Sequence, residues 1–98
     1  MAKPFFIEAL EKNDPQMLKQ LVSVETLAGQ DGALSAKVKT LMSLLADALL
    51  SHPDGCKALA ERARAQGATE EEIRETVRMA FLCGGLPALV TATYAYRT

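Results

Sequence analysis

A chain of 98 residues with a formal charge of −1 is of one-domain size and, on folding, buries roughly two thirds of the surface that its unfolded form exposes. Hydrophobic residues make up 49% of it but aromatic ones only 5%, with no Trp, so the core must be built from Leu, Ala, Val and Met, which suits helix on helix and argues against a sheet sandwich. The near-neutral balance offers no basic field for nucleic acid, and no apolar run approaches the roughly 20 residues that span a bilayer.

In chain order, Pro4 to Lys12 predicts a short helix or arm, with Phe6, Ile7 and Leu10 on one side. Asn13-Asp14-Pro15 restarts the pattern, because Asp14 can accept from the first free amides and Pro15 has no donor to waste. The second helix runs to about Ala28 with a stripe of Leu18, Leu21, Val22 and Leu27, and Gly29-Gln30-Asp31-Gly32 ends it. Ser35 caps a third helix from Val38 through Leu50. Its apolar residues, Leu41 to Leu49, cover more than half the circumference, so it belongs in the core or partly in a subunit interface. Ser43 and Asp47, four apart, share a face expected to be solvated.

Ser51-His52-Pro53-Asp54-Gly55 breaks the pattern, and a fourth helix follows from Cys56 to Gln66 with Leu59 and Ala63 inward and Lys57, Glu61, Arg62 and Arg64 outward. Gly67 is a suitable left-handed terminator. Thr69 and Glu72 form a capping box for a fifth helix that turns Ile73, Val77, Ala80 and Phe81 inward. Cys83-Gly84-Gly85-Leu86-Pro87 interrupts that helix, and a last one spans Pro87 to about Tyr96 with Leu89, Val90 and Ala92 apolar.

Chemistry concentrates at the break before the fourth helix. The only histidine, His52, and one of two cysteines, Cys56, are four apart there, and an imidazole beside a thiol at a helix start makes a candidate activated nucleophile. The bland alternative has His52 solvating the turn and Cys56 as a small buried apolar residue. No other carboxylate or histidine stands out near this corner. Cys83 reads as packing filler. A metal site fails on ligand count, since one His and two distant Cys leave zinc short of four ligands, and no cofactor motif is present. Two cysteines are too few for a disulfide scaffold, and the start Met-Ala-Lys-Pro-Phe-Phe-Ile-Glu makes a poor signal peptide, so free thiols and a cytoplasmic location are expected.

The order Leu34-Ser-Ala-Lys-Val-Lys39, a long Leu/Ala helix, the break at His52, the Gly67-Ala-Thr-Glu-Glu-Glu-Ile73 turn and Gly84-Gly85-Leu86-Pro87-Ala88 resembles the carboxymuconolactone decarboxylase family, and within it the alkylhydroperoxidase D-like proteins. The resemblance is strongest over residues 34–92 and implies a single all-α domain over 1–98, a bundle of five or six helices. It also implies assembly as a trimer or hexamer, with an active site made partly at subunit contacts. Redox members of this family carry a glutamate on the long helix, Cys-x-x-Cys at the break and a histidine four residues later. Laid on this chain without gaps from the Gly67 turn backwards, those positions are Thr40, His52, Gly55 and Leu59, so all four differ; a one-residue shift brings Cys56 to the second cysteine position, still with no partner thiol.

The resemblance therefore implies peroxiredoxin-type peroxidase or decarboxylase activity, while the motif for either is not intact. Three functions are expected in turn: a non-redox member that binds a small ligand or a partner; a thiol-dependent antioxidant that uses Cys56, with Cys83 or an external thiol to resolve it; and an acid-base enzyme of the lactone decarboxylase kind with His52 as proton carrier.

Overall fold

The computed structural model describes residues 3–98, and in them five α-helices and a closing 3-10 turn, with no strand. They form two compact units, one ending at Gln30 and one spanning Asp31–Thr98. In the first unit, α1 (Phe5–Asn13) and α2 (Pro15–Gly29) pack as a hairpin. The joint is made as the sequence predicts, because the Asp14 carboxylate accepts from the Met17 amide at 3.0 Å and Pro15 takes the first helical position. Ile7, Leu10, Leu18 and Leu21 are half-buried along the hairpin, but no residue of either helix is fully buried. Phe6, Val22 and Leu27, expected on the apolar stripes, are exposed, since two short helices offer too little surface to cover them.

The second unit is built on α3 (Ala36–Leu49), which packs against both α4 (Pro53–Ala65) and α5 (Glu70–Ala92). Ser35 caps α3 by accepting from the Val38 amide at 3.1 Å. The full capping box closes the start of α5, with Thr69 Oγ1 accepting from the Glu72 amide at 3.0 Å and Glu72 accepting from the Thr69 amide at 2.8 Å. The core draws Leu44 and Ala48 from α3, Cys56 and Ala60 from α4, and Ile73, Val77, Ala80, Ala88 and Ala92 from α5, with Ala95 beyond it. Six of these ten are alanine. Small side chains let helix axes approach closely, so the core is dense rather than voluminous. α3 and α5 approach closely at Gly84, where an added Cβ would sit 2.6 Å from Leu49 Cδ2. Phe81, expected inward, is half exposed, because Val77, Ala80 and Gly84 already fill the face that meets α3.

One boundary differs from expectation and one is borne out. The fourth helix begins at Pro53, three residues early, because proline at its first position needs no hydrogen-bond partner. The fifth is interrupted where the paired glycines predict: Gly85 (φ 75°, ψ −163°) lies outside helical geometry, so α5 is two helical segments meeting at a kink, and the 3-10 turn Thr93–Ala95 follows the second. Taken across that kink, the stretch Glu70–Ala95 is long and apolar enough to cross a membrane by length and composition only, unlike any run foreseen in the sequence. One of its faces nevertheless forms the bundle core through Ile73, Val77, Ala80, Ala88 and Ala92, and three glutamates occupy its first turn.

Candidate functional site

The corner between α3 and α4 is shaped by a helix ending. At the end of α3 the Ser51 amide donates to the Ala48 carbonyl at 3.3 Å and the His52 amide donates to the Asp47 carbonyl at 2.9 Å. This paired closure requires a left-handed residue between them, and Ser51 takes that conformation with φ 63°. The same closure recurs at the end of α4, where Gly67 (φ 97°) donates to Arg64 at 3.0 Å and Ala68 donates to Ala63 at 2.9 Å. Glycine adopts that geometry freely, whereas serine at Ser51 holds it against its own Cβ.

Folding the chain back in this way sets His52 over the last turn of α3. Its Nδ1 lies 3.3 Å from Asp47 Oδ1. An ionised carboxylate only accepts, so in the neutral ring Nδ1 carries the proton and Nε2 keeps a free lone pair. The imidazole side chain is 58% exposed and that of Asp47 26%, so Nε2 is accessible while the carboxylate is partly sheltered. The face shared by Ser43 and Asp47 is solvated at Ser43 and partly so at Asp47, and the helix closure brings a carboxylate to a corner where none is expected. A residue one turn before a left-handed helix stop lies beneath the first residue after it, and that spacing, Asp47 to His52, is the signal the helical periodicity alone conceals.

Gly55 makes room for the pair. A Cβ built there would collide with the Asp47 carboxylate, so the carboxylate packs directly on the first turn of α4. The positive end of that helix favours a negative group at this point.

Cys56 follows on the inner face. Its side chain has 0% exposure, and its Sγ approaches the Leu44 carbonyl at 3.8 Å, a weak contact. Burial, helped by the Asp47 charge, pushes its thiol up from 9.0 to about 11. His52 and Cys56 are thus two neighbours of one carboxylate, the first exposed and the second sealed in the core. Cys83 is exposed on α5, and both thiols are free. Thr40 is buried and donates to the Ala36 carbonyl at 3.0 Å, and Leu59 packs against the core. Among the described residues, no three His, Cys, Asp or Glu side chains converge as metal ligands.

A second polar centre went unforeseen. Arg64, expected outside, has a side chain only 9% exposed; it donates to Glu70 at 2.7 and 2.8 Å, to Glu61 at 2.7 Å and to the Ala95 carbonyl at 3.0 Å. Arg97 reaches the same Glu61 at 2.7 Å. The Arg97 hydrogen bonds, then those of Arg64, hold the Glu61 carboxyl below its ordinary range. Nothing in the local spacing announces this cluster, because Arg64 and Ala95 are 31 residues apart.

The sequence profile of the carboxymuconolactone decarboxylase family matches residues 15–97. An uncharacterised protein of Methanocaldococcus jannaschii is 25% identical over 89 residues, which cover 91% of this chain and 83% of that protein. The crystal structure of an apo carboxymuconolactone decarboxylase family protein from Legionella pneumophila superimposes with a TM-score of 0.85 at 29% identity, over 91% of this chain and 80% of that one. The helical bundle matches that family's fold. With the profile covering most of its length, the chain belongs to the carboxymuconolactone decarboxylase family.

Proposed function

We propose that this chain is a non-redox member of the family, related to its alkylhydroperoxidase D-like branch, which binds a small ligand at the α3–α4 corner and moves protons there through His52 held by Asp47. The observation that carries the reading is the burial of Cys56, which has no exposed surface and so keeps its thiol from ionising. Attack on a hydroperoxide requires a thiolate, and a thiol titrating at about 11 is ionised in only about one molecule in ten thousand at neutral pH. Turnover would also need a second thiol to resolve the oxidised sulfur, and in the ungapped register that the resemblance implies, the paired cysteine positions fall on His52 and Gly55. The Asp47–His52 geometry favours acid-base chemistry over thiol chemistry, since a carboxylate that fixes the imidazole tautomer prepares Nε2 to accept a proton.

The test is hydroperoxide consumption with a dithiol donor. The expected rate equals that of buffer and is unchanged in Cys56→Ser. Consumption that this substitution abolishes would overturn the reading and install the thiol-dependent antioxidant in its place. We further read the protein as a cytoplasmic homo-oligomer, a trimer or hexamer. Support comes from the apolar side chains it leaves in the open, among them Phe81, Leu82, Leu86 and Leu50, each more than half exposed. Light scattering that returned the 10.6 kDa mass of a single chain would remove the oligomer.

A further inference from the structure

A cleft of about 760 Å³ opens in the second unit, away from the Asp47–His52 pair and independent of the function proposed for it. One wall is a stripe of α4, Lys57, Glu61 and Arg64, spaced four and three apart and therefore on one face. The other is the closing segment of the chain, with Tyr94, Tyr96 and Arg97. The size is that of a small-molecule site.

Its polar groups are not equivalent. Arg64 is fixed at the back by two carboxylates and a carbonyl. Arg97 is held only by Glu61, in a pair whose side chains are 67% and 45% exposed, so water and competing anions reach it. Lys57 has no ion pair or hydrogen bond among the described residues. The cleft thus presents one unengaged ammonium and one exchangeable guanidinium beside two phenol rings, of which Tyr94 is half exposed. Guanidinium binds carboxylate through a planar fork, and an aromatic face accepts a flat ring.

We infer that this cleft binds a small aromatic carboxylate, its carboxylate bridging Lys57 and Arg97 and its ring lying against the tyrosines. Glu61 keeps its bond to Arg64 when Arg97 turns to the ligand. The site is open, so the affinity is modest.

The chain offers a clean readout, because its only two tyrosines both line the cleft and none of its three phenylalanines does. Full-length protein carrying ring-labelled Tyr and Phe is titrated with benzoate, with benzyl alcohol as the neutral ring and acetate as the ringless anion. Benzoate is expected to shift both Tyr signals saturably at concentrations on the order of 1 mM and to leave the Phe signals in place. Benzyl alcohol and acetate should bind at least about tenfold more weakly, and the double variant Lys57→Ala/Arg97→Ala should lose about tenfold in benzoate affinity, while His52→Ala loses none. Equal binding of benzyl alcohol, full retention in the double variant, or no saturable Tyr shift would each overturn the assignment. Tyr signals at their wild-type positions in the ligand-free variants establish that the wall is intact.

Discussion

The buried thiol makes a quantitative claim about alkaline stability. In the folded chain Cys56 titrates at about 11, against 9.0 for an unperturbed thiol. The folded state therefore holds its proton where the unfolded chain has released it. Below pH 9 this contributes its full stabilisation, and as pH rises from about 9 to 11 the contribution is lost, because the unfolded state ionises first. Two units at 1.36 kcal/mol each give a loss of about 2–3 kcal/mol across that window, a substantial part of a stability that for small domains is about 5–15 kcal/mol. The quantity to measure is a difference between two chains, in which contributions common to both cancel. Urea unfolding at pH 8, 9.5 and 11 is compared between the wild type and Cys56→Ala. The variant starts less stable through its lost packing, and the gap between the two narrows by about 2–3 kcal/mol as pH rises. In parallel, an alkylating reagent at neutral pH modifies exposed Cys83 and spares Cys56 until the chain unfolds. A gap that stays constant with pH, or alkylation of both thiols at similar rates, would refute the argument that α4 seals this sulfur, and the non-redox reading with it.

Two further substitutions probe the corner. Gly55→Ala should behave at His52 as Asp47→Ala does: the new Cβ displaces the carboxylate, and ¹⁵N shifts of the imidazole report loss of the Nδ1–H tautomer bias, while overall stability moves by less than about 1 kcal/mol because the gain in helix propensity offsets the lost contact. Unchanged imidazole shifts would show that the carboxylate does not set the ring. Ser51→Gly should raise stability by about 0.5–1 kcal/mol, or the melting temperature by about 2–6 °C, by relieving the left-handed serine; a lower melting temperature would show that the serine is unstrained there.

The helices were legible where local chemistry decides them. Asp14-Pro15, Ser35 and the Thr69–Glu72 box each name a helix start by the atoms they supply to free amides, and each cap forms as read. Gly67 named an end for the same reason. The misreadings share a cause, which is that the deciding partner is elsewhere in the chain. Phe81 has the right spacing to face inward, but α3 approaches too closely at Gly84 for a large ring to enter. Arg64 looks like a solvated helix residue until Glu70 and the Ala95 carbonyl close over it. At the corner, His52 and Cys56 stand out by type and spacing, yet their surroundings are set by Asp47, which a left-handed Ser51 that no propensity would place there brings beneath His52.

Arg64 also alters what the end of this chain can do. Chain ends ordinarily fray because little opposes their opening. Here the nearly buried guanidinium of Arg64, in the last turn of α4, donates from Nη2 to the Ala95 carbonyl and from Nε and Nη2 to Glu70 at the entrance of α5, while Glu61 tethers Arg97 two residues further on. Peeling away the final turn would strand a nearly buried cation and loosen the start of the longest helix at once. The closing residues therefore behave as a latch that opens together with the fold, not as a tail that opens ahead of it.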